Sequence, residues 1–230
     1  KRIITKKLAY DWGDSIYHLS YGMVELPSGK MKSREGTVVD ADELMDEMIA
    51  MAKENTLSLG KTEFGLDELK NLAETIGLGA LKYFILKVDP KKNMLFNPDE
   101  SIDLNGNTAP FIQYTHARIC SLLRKAELAP TPVETNIQCE ELIDAEKEIL
   151  RILYAYPETV HQAANELNPA LIANYTYELV KTYNRFYQEY PILKEADTHK
   201  RLLRLQLSIF TATIIRKAMA LLGIDVPEKM

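Results

Sequence analysis

Four long stretches of helical periodicity follow one another between residues 109 and 222, and they confine the second half of the chain to an all-α arrangement. They run over roughly 109–128, 138–155, 169–190 and 198–222. In each, apolar residues recur at the three- and four-residue steps that line one face of a helix. The first stops before Pro130-Thr131-Pro132, the third opens at Asn168-Pro169, and the last ends at Gly223, all standard helix punctuation. Tyr156-Pro157 through Asn168 leaves room for one shorter helix. Residues 105–230 therefore read as a helical bundle with short connections, and the chain as mainly α. The periodicity assigns Ile112, Ile119, Leu123, Leu179, Phe186, Leu203 and Phe210 to its core.

The first half is less regular. Residues 1–36 lack a helical period and hold four of the ten glycines. The alternation His18-Leu19-Ser20-Tyr21-Gly22-Met23-Val24-Glu25-Leu26 reads as a strand, with a turn at Pro27-Ser28-Gly29. Asp40 or Asp42 can cap a helix ending near Asn55. Leu66 to Val88 reads as two helical pieces broken at Gly77-Leu78-Gly79. Met94-Leu95-Phe96 is expected to be extended, Pro98–Leu104 to form a helical turn or two, and Asn105-Gly106-Asn107-Thr108 a loop.

Charge and composition remove several function classes. With 28 Lys+Arg against 33 Asp+Glu the net charge is −5, so the chain is not basic in bulk. The charge is uneven, however: residues 130–170 carry eight acidic and two basic side chains, and residues 194–230 carry seven basic and four acidic. One reading is a solvated acidic face beside a basic one; the sharper reading is one side that repels phosphate and one that attracts it. Cys120 and Cys139 are too few for a zinc site and fit reduced, buried thiols in a cytoplasmic protein. No apolar run is long enough to span a membrane, and the start is not a secretory leader. No HExxH, Ser-His-Asp order or glycine-rich dinucleotide fingerprint is present.

Three segments carry residues suited to chemistry or recognition. In the helix from Ala109, Ile112, His116, Ile119 and Leu123 form a core face, with His116 read as a satisfied core histidine rather than a catalyst. Phe111, Tyr114, Arg118, Leu122 and Lys125 form a neighbouring face, and Arg124 shares a third line with Gln113, Ala117 and Cys120. Rings interleaved with guanidinium groups suit stacking on unpaired bases and pairing with phosphate, although rings and snorkelling basic chains also serve plain helix packing. The helix after Pro169 holds five of the twelve tyrosines, with a core stripe Leu171, Tyr175, Leu179, Phe186 and a second stripe Thr176, Val180, Tyr183, Tyr187, Tyr190. The second stripe either packs on another helix or faces a ligand. Finally, Gly29-Lys30-Met31-Lys32-Ser33-Arg34-Glu35-Gly36 is a basic loop that either embraces an oligophosphate or is simply solvated; it does not satisfy the P-loop pattern.

Together these segments resemble the C-terminal portion of arginyl-tRNA synthetases, a class I family. Tyr21-Gly22-Met23-Val24 and Ser28 through Val38 resemble that family's degenerate KMSKS signature, and Asn107-Thr108-Ala109-Pro110-Phe111-Ile112-Gln113-Tyr114-Thr115-His116-Ala117-Arg118-Ile119 resembles a long, specific family segment. Tyr183-Asn184-Arg185-Phe186-Tyr187 and the terminal Leu222-Gly223-Ile224 with Pro227-Glu228-Lys229-Met230 resemble the anticodon-binding bundle. The class I HIGH signature is absent, Ser33 stands where the general motif has its second lysine, Glu35 where many members have lysine, and Ala109 and Phe111 replace the commoner Gly and Tyr. The resemblance implies a chain that begins late in a catalytic domain. Its division would be 1–57 for the end of that domain, 58–104 for a helical connector and 105–230 for an anticodon-binding domain.

For the complete enzyme the resemblance implies formation of arginyl-adenylate from arginine and ATP (with Mg2+), then transfer of arginine to its tRNA. Lys30 and Lys32 would meet the ATP phosphates, while Asn107, Phe111, Tyr114, Arg118, Arg124, Tyr187 and Met230 would face the anticodon loop. Arginine codons share a middle G, so the base to be read is an unstacked C, with a ring stacked on it and Met230 and Arg124 walling its pocket. The chain by itself is expected to bind no ATP and to be inactive. A cytoplasmic monomer that binds neither DNA nor a membrane completes the expectation. The rival readings are a helical protein–protein module, or the bundle of another class I synthetase such as the cysteinyl enzyme, against which the Asn107–Ile119 segment argues.

Overall fold

Helices make up nearly all the regular structure among residues 2–25, 40–58, 65–129 and 141–230, which the computed structural model describes. In chain order these are α1 (Arg2–Lys7), β1 (Val24–Glu25), α2 (Ala41–Ser58), α3 (Leu66–Leu86), β2 (Met94–Leu95), α4 (Pro98–Ser101), α5 (Ala109–Lys125), α6 (Asp144–Tyr154), α7 (Tyr156–Glu166), α8 (Ala170–Glu189) and α9 (Thr198–Leu221). The mainly α class is as the periodicity implies, and α5, α8 and α9 answer to three of its four long stretches; the stretch 138–155 is helical only over Asp144–Tyr154 among the described residues.

The boundaries follow local chemistry. Asp40 Oδ1 accepts from the Asp42 N–H at 3.0 Å and starts α2. Thr108 Oγ1 accepts from the Phe111 N–H at 3.3 Å, with Pro110 in the first turn of α5, where its missing N–H costs nothing. Asp197 accepts from the N–H groups of His199 and Lys200 at 2.8 and 3.2 Å and caps α9. Leu167 ends α7 in the left-handed region, at φ 51°.

Three features differ from the sequence reading. Among the described residues the alternating stretch pairs only over Val24–Glu25, which lies parallel to β2 in the register Val24↔Met94 and Glu25↔Leu95, and residues 2–7 are helical. Two residues of pairing suffice to tie the N-terminal segment to the chain before α4. Secondly, α3 is continuous through Gly77 and Gly79. A Cβ on Gly77 would lie 2.6 Å from Met48 O and 2.8 Å from Ile49 Cα, so that glycine lets α2 and α3 touch backbone to backbone. On Gly79 it would lie 2.7 Å from the Gln113 amide nitrogen and 3.3 Å from Ile224. Thirdly, Phe210 is 45% exposed and lies outside the core, while Leu203 is half-buried against it. Around Phe210 the apolar residues Leu205, Leu207, Ile209, Ala212, Ile214 and Ile215 fall on several sides of α9, so the contacts with α5, α6 and α8 decide which side is inside.

Two cores result. The larger one gathers Ile112, Ile119 and Leu123 of α5, Ile149 of α6, Leu179, Tyr183 and Phe186 of α8, and Ile209 and Ile215 of α9. Tyr83 of α3 reaches into it. The smaller one gathers Met48 and Ala52 of α2, Leu72, Ile76 and Phe84 of α3, with Phe96 and Ile102. Within the larger core Arg204 is buried and donates to Glu146 Oε1 at 2.8 Å, to Glu195 Oε2 at 2.7 Å and to Pro191 O at 2.7 Å. A buried guanidinium is tolerable only with such partners. Cys120 is a buried free thiol; Cys139 lies outside the described residues.

Candidate nucleic-acid interface

Helix α8 runs alongside α5 in the same direction, since Phe111 meets Tyr177, Thr115 meets Asn184, and Arg118 meets both Asn184 and Tyr187. Seven residues of α-helix separate Phe111 from Arg118, a rise of roughly 10 Å. Along that length the seam between the helices carries rings and cations.

Asn184 sets the geometry. It is buried, donates its amide to Thr115 Oγ1 at 2.8 Å and accepts from Arg118 Nη1 at 2.9 Å. Thr115 Oγ1 donates in turn to Phe111 O at 2.9 Å. The guanidinium so placed sits 4.8 Å from the centre of the Tyr114 ring and 5.5 Å from that of Tyr187. A cation within about 6 Å of two ring faces is held electrostatically as well as by its hydrogen bond. Arg118 spends one N–H on Asn184 among the described residues, and the rest of its fork can meet a phosphate or a base edge. Phe111 and Tyr177 are 5.9 Å apart, and Lys181 Nζ is 5.9 Å from the Tyr177 ring.

The tyrosine stripes of α8 divide between the two alternatives. Thr176, Val180 and Tyr183 are buried. Tyr183 donates its hydroxyl to Ser208 Oγ at 2.9 Å, and burial pushes that hydroxyl far above its ordinary range. That half of the stripe is packing. Tyr187 is half-buried, tilted 33° against Tyr183 at 6.2 Å, and borders the Arg118 guanidinium.

The remaining sequence-derived residues stand elsewhere. Asn107 accepts from the Tyr83 hydroxyl at 2.6 Å and donates to Asn174 Oδ1 at 3.3 Å, so both ends of its amide are engaged within the protein. Arg124 donates to Glu228 O at 3.2 Å, and Met230 packs on the smaller core. On a helix of 3.6 residues per turn, Arg124 projects about 120° away from Arg118. Phe111, Tyr114, Arg118 and Tyr187 thus share one seam, whereas Arg124 meets the C-terminal tail on another side of α5 and Met230 packs on the smaller core. Lys30 and Lys32 lie outside the described residues. His116 is fully buried, as a core histidine should be, and burial lowers its pKa.

The sequence assigns Tyr177 and Lys181 no site role, and Asn184 enters only as part of the family-like segment Tyr183–Tyr187. The four-residue step from Tyr177 to Lys181 was a visible hint; the Arg118–Asn184 pair, 66 residues apart, leaves no local trace. The basic tail segment, by contrast, is partly spent inside the protein: Arg204 is buried with two glutamates, and Arg216 pairs with Glu228 at 3.5 Å. Among the described residues no group of His, Cys, Asp and Glu is placed to hold a metal ion, and no helix is long and apolar enough to cross a membrane.

Comparison with known proteins gives this architecture its class. Residues 2–97 match the family model of the catalytic domain of class I tRNA synthetases of the arginine type, and residues 112–230 match that of the DALR anticodon binding domain. The chain is 58% identical over 229 residues to an arginine–tRNA ligase of Flavobacterium psychrophilum, covering 99% of this chain and 37% of that protein. It is 54% identical over 231 residues to one of Phocaeicola vulgatus, covering 99% and 38%. Among solved structures, Thermus thermophilus arginyl-tRNA synthetase superposes with a TM-score of 0.87 at 27% identity, over 100% of this chain and 38% of that one. The chain spans well under half the length of these relatives. It belongs to the DALR anticodon-binding domain family, joined to the end of a class I synthetase catalytic domain.

Proposed function

We propose that this chain is the tRNA-binding, C-terminal part of an arginine–tRNA ligase, and that the α5–α8 seam receives the anticodon loop. The observation that carries the reading is Arg118, fixed by Asn184 between the rings of Tyr114 and Tyr187. In this reading an unstacked base lies on one of the rings, and the remaining N–H groups of Arg118 meet its edge or the adjoining phosphate. Phe111, with Tyr177 and Lys181 beside it, offers the next place along the same seam for a neighbouring nucleotide. We divide the chain at 57/58 and 104/105 into catalytic-domain end, connector and anticodon-binding domain.

In the complete enzyme, arginine and ATP would give arginyl-adenylate and pyrophosphate, after which the arginyl group would pass to the terminal ribose of the tRNA. Lys30 and Lys32 would neutralise the ATP phosphates, with Mg2+ travelling on the nucleotide. Monomeric action in the cytoplasm, where tRNA is charged, belongs to the same reading. The partner is RNA rather than DNA, because the recognised element is a loop of splayed bases.

The test is tRNA binding by Tyr187→Ala and Arg118→Ala variants of the complete protein. Tyr187→Ala should weaken binding by roughly 5- to 150-fold, the worth of one stacked base. Arg118→Ala should also reduce the magnitude of the salt slope, by about 0.7 per phosphate released. Unchanged affinity in both variants would place the RNA elsewhere.

A further inference from the structure

The loop before α5 carries a chemistry of its own. Asn105-Gly106 is the only asparagine–glycine pair in the sequence. Asparagine in that position is open to attack by the following backbone nitrogen on its own side-chain carbonyl carbon, because glycine has no Cβ to block the approach. Both residues are exposed at the tip of the loop. Gly106 adopts φ 89°, and a Cβ built on it would meet nothing within 4 Å. Its N–H donates to no group among the described residues. The Asn105 amide makes one long contact there, from Nδ2 to Asp103 Oδ1 at 3.4 Å.

The chain is pinned on either side of that tip. Asp103 Oδ1 accepts from the Asn105 N–H at 2.8 Å, and Asp103 O accepts from Thr108 Oγ1 at 2.5 Å. The Asn107 amide bridges the Tyr83 hydroxyl of α3, at 2.6 Å, and Asn174 Oδ1 of α8, at 3.3 Å. Asn107 O accepts from Lys87 Nζ at 2.9 Å. Thr108 then caps α5, and Phe111, whose N–H it receives, opens the seam. A change at residue 105 therefore acts two residues before Asn107 and three before the cap, at the Phe111 end of the seam.

We propose that Asn105 is a site of spontaneous deamidation, and that its acidic product weakens the hold on RNA at the Phe111 end of the α5–α8 seam. The Gly106 nitrogen gives its proton to a base and bonds to Cγ of Asn105. The Cγ–Nδ2 bond breaks, and the amide nitrogen takes a proton from the solvent and leaves as ammonia. Water then opens the cyclic imide at one of its two carbonyls. One opening gives aspartate; the other gives isoaspartate, in which the main chain runs through Cγ and gains a methylene. Either product carries one new negative charge at neutral pH. It lies before the N-terminus of α5, where the helix dipole tolerates an anion, so the fold keeps its stability while RNA phosphate is repelled. The effect on RNA rests on the function proposed above; the deamidation does not.

The experiment ages the complete protein in mildly alkaline buffer and follows the peptide bearing residue 105 by mass spectrometry, with isoaspartyl methyltransferase labelling as the probe for isoaspartate. Residue 105 should convert first among the asparagines, and faster as the pH rises, since the Gly106 nitrogen must lose its proton. Asn105→Gln should stay unconverted, because its longer side chain must close a larger ring. The aged protein should bind arginine tRNA about 1.5- to 5-fold more weakly, the worth of one exposed charge, and the loss should shrink at high salt. Aged Asn105→Gln should keep its affinity. Fresh Asn105→Asp should show the loss with an unchanged melting temperature. An unconverted residue 105, or faster conversion at another asparagine, would overturn the inference. So would full tRNA affinity in the aged protein and in Asn105→Asp while Tyr187→Ala binds weakly. Full affinity in Tyr187→Ala as well would overturn the proposed seam together with it.

Discussion

In the bundle, Tyr183, Phe186, Ile112 and Ile119 fill the space between α5, α8 and α9, whereas α2 and α3 meet at Gly77, where there is no side chain at all. The first region is held together by large side chains throughout, whereas the second adds to its smaller core a contact that only a glycine allows. Volume spreads the burden over many contacts and lets buried polar groups such as Asn184 be held by hydrogen bonds on two sides. A backbone-to-backbone approach is tighter but depends on one residue. The proposed recognition seam lies in the bundle, where a guanidinium can be held from behind by packed, hydrogen-bonded side chains of α5 and α8.

The largest effect should come from emptying the bundle. Phe186 is 1% exposed, and Phe186→Ala should cost ~3–5 kcal/mol in denaturant melts. A loss under about 1 kcal/mol, typical of surface sites, would make α8 far less central than it looks. Next in size, Gly77→Ala should cost ~1–3 kcal/mol, because the new methyl meets the backbone of α2 and nothing flexible can yield. Hydrogen exchange should show faster opening in α2 and α3 with α8 unchanged. Equal acceleration in both regions would mean that the two cores unfold as one unit. Smaller again, Tyr183→Phe removes the hydroxyl that Ser208 accepts and should cost ~0.5–1.5 kcal/mol, with tRNA discrimination retained.

The smallest effect concerns pH. Burial lowers the pKa of His116 below its ordinary 6.5, so below that pH the unfolded chain binds a proton that the native histidine resists. Stability from this group is present above pH 6.5 and is lost as the pH falls through the native pKa. Melts between pH 7.5 and 5 should therefore show a decline that is shallower in His116→Phe. An identical decline in that variant would assign the acid sensitivity to other groups.

How much of this was legible in the sequence depended on whether the signal was local. The bundle helices declared themselves because a 3.6-residue period repeats over 17 to 24 residues in α5, α8 and α9. Phe210 was misplaced because α9 is apolar on several sides, and only its neighbours choose among them. Gly77 and Gly79 were misread because a glycine that breaks a helix and a glycine that lets one approach another look alike in one dimension. Of the site, the aromatic and basic face of α5 could be read directly, and Tyr187 came from the second stripe of α8 and from family resemblance. The Asn184 bracket and the seating of residues 223–228 on α3 and α5 could not be read, since each joins segments at least 66 residues apart.

The central claim is that the α5–α8 seam reads an unpaired anticodon base, and filter binding of the complete protein to two arginine tRNAs tests it most directly. One carries the natural C at the middle anticodon position and the other carries G. The account predicts that the G form binds about tenfold or more weakly at moderate salt, a difference of ~1.4 kcal/mol. It also predicts that Tyr187→Ala brings the two affinities closer together. Equal affinity of the unaltered protein for both tRNAs would contradict it.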